Sequence, residues 1–419
     1  MKRFLFSIVS AVATVVLADP AVTGVTARQN WPWGPEVNVD YTLDATEPCD
    51  LGYTVSYVTD MRSCQEPTVR LYGVQPGANH FAWDPVAKGL ADKSVRDFKV
   101  SFETPVKASD RAFLIAQLAT GEVSYMSEAQ AAEENGFSDV KYRKQYMVFR
   151  RVPAGDYDLG LTADELKRVG ANATAKTQAA RRTVRLSHDY YLSIHVMTTA
   201  QYSYATGGSS DNLAYKSLSY EALRGKPVED GIMWPNTGHA VAGNSTVMTF
   251  RNHFKLPEGF VLDLPTESQW EAGIRGGTNT ILPHFGTPEN TDAEMLAYLG
   301  TICYTNGGTS VGTMSPTAKG FYDPVGIFWE LVLEMYNSKA GETIHMAFPD
   351  FRDWSQTVDP VGKDVVVGDA TQLWAVSCNC GYVTKPSKVT ISQTPANRNM
   401  RDRTGTMAFR LCINTQAIK

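Results

Sequence analysis

Beyond its first twenty residues the chain lacks any apolar run long enough to cross a bilayer, which takes about 20 residues. It also lacks a dense lysine and arginine block. Its 39 basic and 44 acidic residues leave a formal charge of -5, without the basic face that a nucleic-acid binder presents. No internal repeat and no low-complexity tract occurs. A nucleophile elbow, a phosphate loop and a zinc signature are missing as well. His188, His195, His239, His253, His284 and His345 are scattered without metal-ligand spacing, so each reads as a surface or satisfied core histidine. What is present is 43% hydrophobic and 20% charged, with 33 Gly, 21 Pro, 19 Tyr and 8 Trp. That composition excludes the disordered and fibrous classes, and the length of 419 residues suggests two or three domains that each bury a core.

Lys2 and Arg3 precede an apolar run from Phe4 to Leu17, followed by Ala18 and Asp19. This is the pattern of a secretory signal peptide over 1–18, and it predicts export to a periplasmic, cell-surface or extracellular location. Export makes disulfides possible among Cys49, Cys64, Cys303, Cys378, Cys380 and Cys412. Cys49 and Cys64 share one early segment and are the favoured pair, with two buried thiols as the alternative.

Four short runs alternate apolar and polar residues between Pro, Gly and Asp clusters: Glu36–Leu43, Tyr53–Val58, Thr68–Tyr72 and Phe98–Phe102. Period-two alternation predicts antiparallel strands, and this many in so short a stretch predicts an immunoglobulin-like β-sandwich over 19–105. Trp31, Trp33 and Trp83 read as core or edge aromatics. Residues 106–145, including the Ala- and Glu-rich Ser127–Glu134, read as a link, with a short helix or a solvated connector in it. After the link the chain turns Gly-rich, aromatic-rich and short of helical periods. One helix stands out at Ser268–Arg275, announced by Pro265-Thr266-Glu267.

Ordered segments of this second part carry a resemblance. They are Phe149-Arg-Arg-Val-Pro-Ala-Gly155, Asp158-Leu-Gly160, His188–Tyr202, the block Leu264-Pro-Thr-Glu-Ser-Gln-Trp-Glu-Ala-Gly-Ile-Arg-Gly-Gly277, Gly320–Glu330 and Met407-Ala-Phe-Arg-Leu411. Over 146–414 the chain resembles the formylglycine-generating enzyme family, the sulfatase-modifying-factor domains. The resemblance implies a C-type-lectin-like domain with much irregular structure, often calcium-bound, so the expected class is α+β.

Family members that make formylglycine oxidise a sulfatase cysteine with oxygen and copper(I) held by two cysteine thiolates. Thiolates are the soft donors that copper(I) requires. The matching stretch here is Trp374-Ala-Val-Ser-Cys-Asn-Cys-Gly-Tyr382. Cys380 falls on the first catalytic cysteine, while Lys385 stands where the second belongs. Cys378 lies two residues from Cys380, so on an extended strand both would face one side and bracket a soft ion. The alternatives are a disulfide to Cys303 or Cys412, and buried core thiols.

The resemblance also implies a calcium loop in Asp323-Pro-Val-Gly-Ile-Phe-Trp-Glu330, with oxygen ligands from Asp323, Gly326, Phe328 and Glu330. Two carboxylates plus carbonyls suit a hard cation. Without the resemblance, Asp323 and Glu330 read as a turn acid and a surface acid. A second family calcium site is not carried over, because Tyr298 replaces its asparagine. Taken together, these readings predict an exported module that is degenerate as an oxidase and binds a protein, peptide or glycan, or serves structurally. The alternative is a copper-dependent formylglycine-generating oxidase.

Overall fold

The computed structural model describes residues 19–29, 33–60, 62–91, 93–160, 181–206, 219–225, 239–276, 310–312, 316–323, 329–337, 356–361, 373–378, 398–399 and 407–417. At 205–206, 335–337, 373–378 and 398–399 it describes the backbone alone. The architecture is α+β with mostly antiparallel sheets, and the chain divides into two compact units, 1–108 and 109–419. Among the described residues, no helix is long and apolar enough to cross a membrane.

The first unit contains β1 (Ala21–Gln29), β2 (Val37–Asp44), β3 (Cys49–Thr59), β4 (Arg62–Gln65), β5 (Val69–Val74), β6 (Gly77–Trp83), β7 (Arg96–Phe102) and β8 (Val106–Lys107). One sheet runs β1-β2-β6. In the other, β3 is central and pairs with β4, β5, β7 and β8. The alternation of β2 buries Val37, Val39, Tyr41 and Leu43 and leaves the residues between them more exposed, as a strand with one wet face requires. The two sheets meet through aromatics: Tyr53 stacks on Phe81 at 4.2 Å, and Trp83 lies 5.1 Å from Phe98. All four runs expected from alternation coincide with β2, β3, β5 and β7, two of them starting one residue early at Glu36 and Thr68. Trp83 is core, Trp33 stands 86% exposed, and Trp31 lies outside the described residues.

The expected Cys49–Cys64 disulfide is not formed. The strand register sets Cys64 opposite Tyr57, eight residues along β3 from Cys49. At about 3.3 Å per residue that separation is several times the span of about 7 Å a disulfide bridges.

The second unit begins with the stretch read from sequence as a link. There lie β9 (Phe113–Gln117), β10 (Val123–Met126), α1 (Glu128–Glu133) and α2 (Lys141–Lys144). Ser127 and Gln130 form a reciprocal capping box that starts α1. Then follow β11 (Tyr146–Val152), β12 (Gly155–Leu159), β13 (Arg182–Leu186), β14 (Tyr190–Ser193), α3 (Thr199–Thr206), α4 (Tyr220–Arg224), α5 (Thr246–His253), β15 (Val261–Asp263) and α6 (Glu267–Arg275). The last strands are β16 (Trp329–Asn337), β17 (Leu373–Cys378), β18 (Arg398–Asn399), β19 (Met407–Phe409) and β20 (Cys412–Asn414).

The main sheet runs β10-β9-β11-β14-β20-β15 and is covered on both faces. Phe113, Ile115, Val148, Tyr190, Leu192 and Cys412 feed one core, whereas Leu114, Ala116, Met147, Phe149, Tyr191 and Ile413 feed another. A strand buried on both sides shows no alternation. That is why Phe113-Leu-Ile-Ala-Gln117 gives no strand signal in the sequence. A second sheet, β18-β17-β16-β19, includes a parallel β16–β19 pair.

Two glycines separate backbone strain from collision. Gly121 has φ +72°, and a Cβ there would lie 2.0 Å from the carbonyl oxygen of His253, whereas Gly77 has φ +100° and open space around it. Gly77→Ala is expected to cost about 1 kcal/mol, by strain alone, while Gly121→Ala costs about 3 kcal/mol or more because backbone must move. Denaturant titration of the two variants checks this, and equal costs would contradict it.

Candidate functional site

The block Thr266–Arg275 is the natural starting point, because every residue of α6 is buried and its polar groups must therefore find partners inside the protein. Thr266 and Gln269 cap the helix reciprocally at 3.0 and 3.1 Å. The Glu334 carboxylate accepts from the Glu267 N–H at 2.8 and 2.9 Å, at the helix end whose dipole favours negative charge. Gln269 Nε2 donates to Asn414 Oδ1 at 2.6 Å, and Trp270 Nε1 donates to Glu330 Oε2 at 2.9 Å. Arg275 pairs with Glu271 at 3.0 Å, and Glu271 also accepts from the Gly160 N–H at 2.9 Å. Gly273 lets Leu192 pack close, since a Cβ there would sit 2.8 Å from the Leu192 Cδ2 and the side chain would have to shift.

Glu330 leads to the second layer of the site. Arg410, fully buried in the turn between β19 and β20, gives Nε to Glu330 Oε2 at 2.8 Å. Its Nη1 donates to the carbonyls of Ile194 at 2.7 Å and Ser193 at 3.3 Å, and its Nη2 to those of Tyr322 at 2.6 Å and Asp323 at 3.4 Å. One guanidinium thus ties together β14, β16 and the 322–323 turn. Glu330 Oε1 is buried without a hydrogen-bond partner. Asp323, at φ +50°, accepts from the Gly312 N–H.

Arg143 packs against Gly312, where a Cβ would lie 2.4 Å from Nη1, and donates to the Ser138 carbonyl at 3.0 Å. His195 stacks on Tyr322 with ring centroids 4.6 Å apart. Burial, then the charges of Arg143 and Arg410, push the His195 pKa well below the ordinary histidine range, so the ring is neutral. Its Nε2 and the Nε of Arg143 have no partner either. Arg143 and Arg410 balance Asp323 and Glu330. The centre is therefore buried and incompletely hydrogen-bonded.

A separate buried centre surrounds Asp263. Arg224 grips both its oxygens at 2.8 Å, His239 Nδ1 lies at 2.8 Å, and the Leu264 N–H donates at 2.8 Å. Burial alone would raise the Asp263 pKa, but Arg224 and His239 outweigh it and hold the carboxyl below its ordinary range. This fully paired cluster joins α4 to β15. Cys412 is also buried, and burial pushes its thiol pKa well up, away from the thiolate form.

Of the four calcium candidates, Asp323 and Glu330 are both buried, and Arg410 bonds the Glu330 carboxylate and the Asp323 carbonyl; the surface-acid reading of Glu330 is corrected by its burial. Gly326 and Phe328 lie outside the described residues. So do Cys380, Lys385 and Cys303. Cys378 ends β17, in register opposite Glu330 on β16. Sequence reasoning gave no role to Arg410, Arg143, His195 or Asp263. Besides its place in the segment Met407-Ala-Phe-Arg-Leu411, the signal at Arg410 is a charge inside the apolar run Met407-Ala-Phe-Arg-Leu-Cys-Ile413. His195 falls in the segment His188–Tyr202, but its partner Tyr322 comes from a distant segment that no spacing reveals.

The depressed His195 pKa has a definite sign in stability. The unfolded chain takes up a proton below about pH 6.5 that the folded ring refuses, so this contribution is present above pH 6.5 and lost as pH falls. His195→Gln is expected to remove a loss of up to about 1.4 kcal/mol per pH unit between pH 6.5 and 5. Melting curves of both proteins across that range check it, and identical slopes would contradict it.

Comparison with known proteins gives little. No family model matches the chain, and no curated protein matches it. Among solved structures it is similar to PvdO from Pseudomonas aeruginosa, at 15% identity and a TM-score of 0.41, over 64% of this chain and 94% of that one. A likeness of that size specifies neither activity nor site.

Proposed function

We propose that the second unit is a divergent sulfatase-modifying-factor-like domain of C-type-lectin-like fold that serves as a binding or structural module rather than an oxidase. In this reading the protein is exported, its first unit is an immunoglobulin-like sandwich, and the partner is an exported protein, peptide or glycan met by the loops. The observation that carries the reading is the fate of the block Thr266–Arg275. Its polar side chains cap, pair and anchor the framework, so the resemblance there is explained by folding. Lys385 in place of the second motif cysteine argues the same way. Function belongs to the site rather than the scaffold, and the scaffold is what the block preserves.

Calcium belongs to this reading. The unpartnered, buried Oε1 of Glu330 has the donor chemistry that a hard cation requires, and Asp323 with the carbonyls of Gly326 and Phe328 would supply the other oxygens. A chelator is expected to lower the melting temperature, calcium to restore it, and Glu330→Gln to abolish the response. An ion held at about 100 times its Kd would stabilise the fold by about 2.7 kcal/mol. An unchanged melting curve under chelator removes the ion from the account.

The oxidase alternative needs copper(I) on Cys380 with Cys378 standing in for the lost partner. The reduced, copper-loaded protein, incubated in air with a Cys-x-Pro-x-Arg peptide, is expected to leave the peptide thiol intact by mass spectrometry. Conversion to the aldehyde, lost in Cys380→Ser, would overturn the non-oxidase reading.

A further inference from the structure

Tyr204 on α3 and His253 at the end of α5 form a pair that the proposed function does not use. Tyr204 is 42% exposed, and every other tyrosine whose side chain is described is buried or partly buried. Its hydroxyl lies 2.9 Å from His253 Nδ1, with ring centroids 4.4 Å apart. The other ring nitrogen, Nε2, lies 2.8 Å from the Leu118 carbonyl, which can only accept. In the neutral imidazole the proton therefore sits on Nε2, and Nδ1 presents its lone pair to the phenol.

The base is also held in place. The β9–β10 turn packs its Gly121 against the His253 backbone, and Lys255 N–H donates to the Gly121 carbonyl at 2.8 Å. An accessible phenol bonded to a fixed acceptor, with that acceptor oriented by a third group, is an arrangement for moving a proton out of the phenol. Removing a proton together with an electron is the step that makes a phenoxyl radical.

We propose that Tyr204 is a site of oxidative phenol coupling, at which a peroxidase-type oxidant takes one electron, the phenolic proton passes to His253 Nδ1, and the radical joins a second phenol. The balance closes. Two phenols each give up one electron and one proton, one bond forms between their rings, and one hydrogen peroxide is reduced to two waters.

The test uses the full chain with a heme peroxidase, hydrogen peroxide and a tyramide probe, followed by peptide mapping, with N-acetyltyrosinamide in the same tube as a reference phenol. Tyr204 is expected to carry more tyramide than any other tyrosine and, despite partial burial, to react faster than the reference. His253→Gln should lower labelling of Tyr204 about fivefold, the factor for one hydrogen bond of about 1 kcal/mol. Preferential labelling of another tyrosine, or a Tyr204 rate below that of the reference, would overturn the proposal. Unchanged labelling in a folded His253→Gln would overturn it too, by showing that exposure alone decides. The comparison with the reference phenol decides the matter even where that variant fails to fold.

Discussion

A guanidinium cannot be left alone in a dry interior, and much of the second unit is arranged around that constraint at Arg410. Its charge is met by Glu330, and its remaining donors by four backbone carbonyls of the β14 end and the 322–323 turn. Glu330 in turn holds the Trp270 indole, which fixes α6. Segments about two hundred residues apart in the chain thus close on one side chain. Such a centre costs desolvation on every ion, and it holds together because each charge has a partner. The groups left without hydrogen bonds, Glu330 Oε1, His195 Nε2 and Arg143 Nε, mark where polar content exceeds what the fold itself uses.

The two units were unequally legible in the sequence, and burial explains why. In the first unit β2, β6 and β7 keep one wetter face and alternate visibly, and the runs at 36–43, 53–58, 68–72 and 98–102 could be read as strands. In the second unit the sheet is covered on both faces, and Phe113-Leu-Ile-Ala-Gln117 looks like any apolar run. The segment 106–145 reads as a link for that reason, although it supplies two strands of the main sheet. Helix α6 was legible because its cap is local: Thr266 and Gln269 are three residues apart. Arg410 with Glu330, and Asp263 with Arg224, are pairings across the chain that no spacing reveals. The expected disulfide failed on register, since Cys49 and Cys64 are near in sequence yet far apart along β3.

Function follows the same division. The block Thr266–Arg275 does framework work here, with the side chains of Thr266, Gln269, Trp270, Glu271 and Arg275 each bonded to a neighbour. The chemistry that remains open lies elsewhere, at the unpartnered oxygen of Glu330 and at the exposed Tyr204–His253 pair. The register sets Cys378 opposite Glu330 across β16 and β17.

The central claim, that Arg410 and Glu330 form one interdependent buried unit on which the second unit rests, is tested most directly by a double-mutant cycle. Arg410→Met alone should cost about 3–5 kcal/mol by stranding the Glu330 carboxylate, and Glu330→Gln alone a comparable amount by stranding the guanidinium. The double variant should cost less than their sum by about 2 kcal/mol or more, because neither charge is then left unpaired. Additive losses, or single variants that unfold at wild-type denaturant concentrations, would contradict the account.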